Sequence, residues 1–329
     1  MTLYIESRNT DPRYNLALEQ VVFDRLDRGS SYCMLWRNDN AVIVGKHQNT
    51  SAEINAAFVN AHNISVVRRL SGGGAVYHDL GNLNYTFIAD NDGAVNFAAF
   101  CRPVQQALAS FGVPAEISGR NDMTAEGKKI SGNAQYMRDS RIMHHGTLLY
   151  DSNLEVLCDA LHVTGDKIES RGIKSVKSRV TNIRPFMKAD MPVTEFRAAL
   201  RRYLFDAFDM QEYILSAGEE AEVEKLKDSV YSQWSWNYGA SPPYNIRKAR
   251  RIEGCGNIEI LLDVGKGGII NHIVFYGDFF GNDDPIALAE ILKGRHYEYN
   301  ELAETVSAMD ISRYFHNLDT DNFLSVLFE

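Results

Sequence analysis

One segment limits the architecture of this chain more than any other: Arg68-Arg69-Leu70-Ser71-Gly72-Gly73-Gly74-Ala75-Val76-Tyr77-His78-Asp79. Ile64-Ser65-Val66-Val67 before it is short and β-branched, and Leu83-Asn84-Tyr85-Thr86-Phe87-Ile88 after it alternates apolar and polar residues. The glycines are therefore predicted to lie between two strands. Glycine admits positive φ and lets backbone N–H groups approach phosphate oxygens, while arginine supplies a rigid fork of charged donors. The segment reads either as a phosphate cradle or as a plain glycine hairpin. It matches neither familiar nucleotide fingerprint, since no Lys-Ser/Thr pair opens a helix after the last glycine and the G-x-G-x-x-G spacing is missing. A nucleotide held here is held by a strand, a loop and a strand.

The 329 residues suffice for one large domain and a smaller one. A net charge of −9 argues against nucleic acid or an anionic membrane as the main partner, so an anion site has to be a local basic pocket. Cys33, Cys101, Cys158 and Cys255 are scattered without C-x-x-C pairing, which indicates neither a disulfide framework nor a cysteine zinc site. A reduced cytoplasm is the expected setting. The N-terminus lacks the charged start and apolar run of a signal peptide, and the chain has no apolar stretch of the length a membrane span needs.

After a short first strand, Asp11-Pro12 opens a helix whose Leu16, Leu18, Val21, Val22 and Leu26 fall mostly on one face, with its end expected near Gly29. Met34 to Arg37 and Ala41 to Gly45 read as a hairpin around Asn38-Asp39-Asn40. A second helix is predicted over 97–111, with Pro103 tolerated near its start, and further helices over 193–208 and 219–229. The basic, hydroxyl-rich run 174–182 reads as a loop. The pattern breaks around Trp234 to Pro243, dividing the chain into 1–235, a linker 236–245 and a unit 246–329. The last unit is expected to hold a hairpin, 258–264 with 269–276 around Gly265-Lys266-Gly267-Gly268, and helices after Asp284-Pro285 and Thr320. The fold class is α+β: a mixed-sheet domain with a small α+β C-terminal appendage.

Lys129, followed by Ile130-Ser131-Gly132, sits where a strand would present an ammonium to a shared pocket. There it could neutralise charge developing between a carboxylate and an α-phosphate. Acyl-adenylate formation needs positioning and charge neutralisation and no protein nucleophile. Asp122 or Asp79 could hold Mg²⁺ with nucleotide phosphates, or Asn121-Asp122 could simply cap a turn. His144 and His145 are adjacent, so on a strand they point to opposite faces and do not chelate one ion; one is expected to face the pocket. Hydrolysis through a triad in Tyr77-His78-Asp79 lacks an activated serine.

These residues carry a resemblance. The Arg68 to Asp79 segment, Gly119-Arg120-Asn121-Asp122, Lys129-Ile130-Ser131-Gly132-Asn133-Ala134-Gln135, His145-Gly146-Thr147-Leu148-Leu149 and Ser178-Arg179-Val180-Thr181-Asn182 together resemble the lipoate–protein ligases of the lipoate and biotin ligase superfamily. The resemblance implies a two-step reaction: lipoate and ATP give lipoyl-adenylate and pyrophosphate, and a lysine of a lipoyl domain then takes the acyl group. It implies octanoate as a second substrate, Mg²⁺ as cofactor, and as partners the lipoyl domains of 2-oxoacid dehydrogenase E2 subunits or the glycine cleavage H protein. By motif, Lys129 is the catalytic residue, touching acyl carbonyl and phosphate. Arg69, Gly74, Ala75, Val76, Tyr77, Asn121, Asp122, Ser178 and Arg179 would bind ATP or adenylate, with Asp122 the candidate Mg²⁺ ligand. Ser71, Gly73, His78, Ala134 and His145 would join Lys129 around lipoate. Some relatives carry an arginine where this chain has Tyr136, so that position receives no charged role. The competing readings are an ATP-independent octanoyl or lipoyl amidotransferase acting through a cysteine thioester, and a non-catalytic lipoate binder.

Overall fold

In a computed structural model, which describes residues 1–90, 96–119, 121–161, 179–239 and 244–328, the strands flanking the glycine segment belong to two different sheets. The chain runs through β1 (Thr2–Glu6), β2 (Ser31–Trp36), β3 (Ala41–Val44), β4 (Ser65–Arg68), β5 (Val76–His78) and β6 (Asn82–Asp90). It continues through β7 (Ala115–Ser118), β8 (Asp122–Ala125), β9 (Lys128–Arg138), β10 (Arg141–Leu149) and β11 (Gln211–Glu212). The larger sheet has the order β11-β1-β2-β6-β10-β9-β8-β7, and the smaller is β4-β3-β5. Both mix parallel and antiparallel pairs, as the fold class requires.

The expected hairpin of Met34–Arg37 with Ala41–Gly45 does not form. β2 pairs with β1 and β6, whereas β3 pairs with β4 and β5. The connection explains why: Asn38 is buried and accepts from Asn15 Nδ2 at 3.0 Å, and Asn40 takes a positive φ of 39°. The chain is thereby turned out of one sheet and into the other.

Helix α1 (Pro12–Arg25) begins where the sequence suggests, with Asp11 accepting from the Arg13 N–H and proline in the first turn. It stops at Arg25, because Leu26 is already extended. Its buried face closes one side of the space between the sheets, packing Leu16, Leu18, Val21 and Val22 against Trp36, Ile43 and Val67. On the other face of the large sheet, the helices Phe97–Ser110 and Val193–Phe208 cover Leu83, Tyr85, Leu148 and Tyr150. Pro103 lies inside the first of these helices rather than at its start, and so withholds the N–H that the Ala99 carbonyl would otherwise use.

The C-terminal unit is a three-stranded antiparallel sheet, β12 (Ile246–Ile252), β13 (Gly256–Val264) and β14 (Ile270–Gly277), with helices Pro285–Leu292, Tyr299–Ser307 and Thr320–Phe328 around its own core. β12 is the strand that sequence reading misses: Arg247, Lys248, Arg250 and Arg251 hide its alternation, and pairing with β13 makes it a strand. This unit touches the glycine segment directly. The Gly73 N–H donates to the Phe279 carbonyl at 3.3 Å, the Gly277 N–H to the His47 carbonyl at 2.7 Å, and Lys46 pairs with Asp284 at 3.6 Å. Pro242 and Pro243, on which the expected linker partly rests, lie outside the described residues. Among the described residues no helix is long and apolar enough to cross a membrane.

Candidate active site

The two arginines that open the glycine segment are spent on the backbone. Arg68 donates to the carbonyls of Gly45, Lys46 and Gln48 at 2.8, 3.0 and 2.7 Å, to those of Trp236 and Asn237, and to Thr50 Oγ1. Arg69 donates to the carbonyls of Gly72, Gly74 and Ile43 at 2.7, 2.8 and 3.2 Å and to Ser71 Oγ at 2.9 Å. Burial pushes both guanidinium groups down to about 10, which leaves them charged at neutral pH. A charged fork bonded to carbonyls fixes a loop that has no side chains of its own to hold it. Gly45 is part of the same device: a Cβ there would run into the Gly73 carbonyl, so the loop closes over β3 only on glycine.

Between the sheets the loop walls a cavity open to solvent, about 570 Å³ of empty space when its mouth is included. Gly73, Gly74, Ala75, Val76 and His78 line one side; Lys129, Gly132, Ala134, His145, Gly146 and Thr147 line the other. Arg69, Asn121, Asn133, Asn84 and Trp36 complete it with Leu16 and Ile43. The register explains this convergence. Asp122 stands opposite Gly132, the Gly132 N–H donates to Thr147 Oγ1 at 3.1 Å, and Thr147 stands opposite Asn84, which stands opposite Trp36. A single row thus crosses five strands, from a carboxylate to an indole.

Lys129 sits at the polar end of that row, its Nζ 2.8 Å from Asp122 Oδ1, both side chains about one-third exposed. Its backbone is fixed by the incoming chain, for the Thr181 N–H donates to the Lys129 carbonyl at 2.9 Å. Asn121 and Asn133 clasp each other through side-chain-to-backbone hydrogen bonds, the Asn133 amide donating to the Asn121 carbonyl at 3.1 Å. Among the described residues, Asp122 Oδ2 has no hydrogen bond or ion pair. Asp79, by contrast, caps two turns through the N–H groups of Gly81 and Asn153.

The interior holds buried polar groups in fixed roles. His145 Nε2 lies 2.6 Å from Ser71 Oγ and its Nδ1 3.0 Å from Glu19 Oε1, so Glu19, His145, Ser71 and Arg69 form one chain of hydrogen bonds. Ser71 therefore stands behind the wall, with His145 and Arg69 in front of it. As expected of adjacent strand residues, His144 points the other way. It is bonded to Gln135 at 2.9 Å, stacked on Phe100, and held by burial well below the usual histidine range. Tyr77 also faces away, in the apolar cluster of Val42, Val44 and Val66, with its hydroxyl on Asn40 Oδ1. Tyr136 packs beside Phe23 at a ring separation of 5.1 Å. Ser178 lies outside the described residues, and Arg179 is the first described residue after it, immediately before Val180, which bridges to Lys129.

Sequence reasoning gives no site role to Glu19, Trp36 and Asn84, nor to Gly132, Asn133 and Thr147, which it quotes only as parts of motifs. Glu19 leaves a signal: it follows Leu16 by one helical turn on the apolar face of α1, where an unpaired carboxylate is costly. The others belong to strands whose alternation is plain, but which strands share a row depends on pairing.

The two-sheet cavity, with Lys129 at its mouth and the glycine loop as its wall, is the candidate active site. Residues 11–205 match the family model of the lipoyl protein ligase A/B catalytic domain, and residues 241–327 that of the bacterial lipoate protein ligase C-terminus. The lipoate-protein ligase LplJ of Bacillus subtilis is 43% identical over 99% of this chain and 100% of its own length. Among solved structures, LipL1 of P. falciparum in complex with lipoate aligns with a TM-score of 0.80 at 24% identity, over 99% of this chain and 97% of that one. A lipoate-protein ligase A bound with ATP aligns with a TM-score of 0.61 at 27% identity, over 72% of this chain and 98% of that one. This chain belongs to the lipoate–protein ligase family, and is an enzyme of that ligase class.

Proposed function

We propose that the enzyme activates lipoate, or octanoate, as an acyl-adenylate and transfers the acyl group to a lysine of a lipoyl domain. In the first step a carboxylate oxygen attacks the α-phosphorus of ATP, the bond to the β-phosphate oxygen breaks and pyrophosphate leaves. In the second, the lysine amine attacks the acyl carbonyl, AMP leaves and the amine gives up a proton. The observation that carries this reading is the row from Asp122 and Lys129 to Trp36, a charged mouth joined to a buried interior. Lys129 would neutralise the charge that builds between carboxylate and phosphate. Gly74, Ala75, Val76 and Tyr77 would hold the nucleotide through their backbone, with Asn121, Ser178 and Arg179 closing over it. Arg69 would act through the loop it pins. Gly73, His78, Ala134 and His145 would enclose the acyl chain, with Ser71 aligning His145 from behind.

Asp122, with Oδ2 open, fits a Mg²⁺ ion whose remaining ligands are nucleotide phosphates and water, the usual way magnesium is bound. The ion would offset phosphate charge, and among the described residues no cluster of three or more carboxylate, histidine or cysteine side chains offers a complete protein cage. A thioester route finds no support in the cavity: none of the four cysteines lines it, and burial pushes the Cys101 thiol up to about 11. Residues 1–235 would carry the chemistry, with 246–329 as an accessory domain joined through 236–245. The accepting partners would be lipoyl domains of 2-oxoacid dehydrogenase E2 subunits or the glycine cleavage H protein, in the cytoplasm. ATP–pyrophosphate exchange with lipoate, octanoate and biotin in parallel tests the proposal. Exchange with the first two and not the third is expected, and exchange with none, or with biotin alone, overturns it.

A further inference from the structure

His78 is almost fully buried, lines the cavity, and has one ring nitrogen, Nε2, with no hydrogen-bond partner among the described residues. The other nitrogen settles which kind of group this is. Asn15 Nδ2 donates to the carbonyls of Asn9 and Arg37, both at 2.9 Å, and to Asn38 Oδ1 at 3.0 Å. With its oxygen turned to Asn15, Asn38 presents its NH₂ to His78 Nδ1 at 3.1 Å. Asn84 does the same at 3.5 Å, since its oxygen accepts from Asn82 Nδ2 at 2.9 Å. Nδ1 is therefore an acceptor. Burial and the neighbouring Arg69 and His145 push this histidine down to about 3, so at neutral pH it carries a single proton, on Nε2. A buried donor without an acceptor is costly, about 1–3 kcal/mol.

The position of that donor fits the end of an acyl chain. Asn84 in β6 lies two strands from Gly132 in β9, where Lys129 stands, a separation of about 10 Å at ~4.8 Å per strand. An extended chain advances about 3.5 Å in three bonds, so a chain of eight carbons with its carboxylate at Lys129 ends near Asn84, Trp36 and His78. Lipoate and octanoate share this length. They differ in that lipoate carries sulfur on the sixth and eighth carbons, an acceptor where octanoate has only C–H.

We infer that His78 is the residue by which this site distinguishes a sulfur-bearing acyl chain from a plain one of equal length, its Nε2–H donating to a sulfur of the dithiolane. The inference rests on the acyl-adenylate reading above. A weak acceptor suffices, because among the described residues the donor has no protein partner. The hydrogen-bonded chain Ser7–Asn15–Asn38–His78, whose first link is 2.6 Å, makes the discrimination possible by fixing the tautomer.

The test compares kcat/KM of pyrophosphate exchange for lipoate and for octanoate on the full chain, as wild type, His78→Leu and His78→Gln. Wild type is expected to favour lipoate. His78→Leu should cut the lipoate-to-octanoate ratio about tenfold, and His78→Gln, which keeps an N–H donor, should retain most of it. Equal losses for both acids overturn the inference. Should the leucine variant not fold, ¹⁵N NMR of wild-type His78 decides: lipoate must shift the Nε2–H resonance in a way octanoate does not, and identical spectra overturn it. A wild type that exchanges pyrophosphate with neither acid defeats the adenylate reading instead, and the NMR comparison still judges His78 by binding.

Discussion

Two cationic regions meet at this cavity and they are built oppositely. The arginine pair is buried and its donors are consumed by carbonyl oxygens of Ile43, Gly45, Lys46, Gln48, Gly72 and Gly74. Lys129 is one-third exposed and held by a single carboxylate. The difference separates two uses of positive charge that look alike in sequence. A buried guanidinium whose donors go mostly to backbone carbonyls makes a scaffold, whereas an ammonium held by one exchangeable partner is available to a substrate.

If that contrast is correct, substitutions in the two regions should fail in different ways. The largest effect is expected of Arg68→Leu, which leaves several buried carbonyls without donors at about 1–3 kcal/mol each. A loss near 4 kcal/mol, read from the shift of the urea midpoint, would mark it as structural, and a shift under about 1 kcal/mol would break the comparison. Lys129→Ala should do the reverse: adenylate formation falls roughly 10²–10³-fold while the urea midpoint hardly moves. Gly72→Ala comes next. A Cβ there meets the Phe279 carbonyl of the C-terminal unit and the Phe280 ring, so that contact should loosen. Amide exchange at Gly73 and Phe280 should rise, with a stability loss of about 1–3 kcal/mol.

A further effect is graded with pH and vanishes near neutrality. Burial holds His78 at about 3 and His144 well below its ordinary value, so the folded chain keeps both neutral where the unfolded chain protonates them near pH 6.5. The unfolded state then binds more protons. Stability is full above about pH 6.5 and is lost as pH falls toward 3, by up to about 1.4 kcal/mol per pH unit for each histidine. Urea titrations at pH 7, 6 and 5 would show the decline, and a flat profile would contradict the buried neutral histidines.

Much of this was legible in the residues. The glycine segment, Lys129, the division of labour between His144 and His145 and the α1 cap follow from φ requirements, charge and strand alternation. What stayed hidden depends on pairing. That β2 and β3 separate into two sheets turns on a buried Asn38, and Asn38 looks like any turn residue until Asn15 is beside it. Arg68 and Arg69 read as donors for phosphate because a sequence shows the fork but not the carbonyls that fill it. Glu19 alone among the missed groups announced itself, as a carboxylate on an apolar helix face.

The division between scaffold arginines and a working lysine is tested most directly by quenching the enzyme with ATP and lipoate in the absence of any acceptor protein and weighing the lipoyl-AMP formed. Wild type should accumulate about one equivalent of lipoyl-AMP. Lys129→Ala, with an unchanged urea midpoint, should form it at least about 10²-fold more slowly. Equal rates in the two proteins would contradict the account.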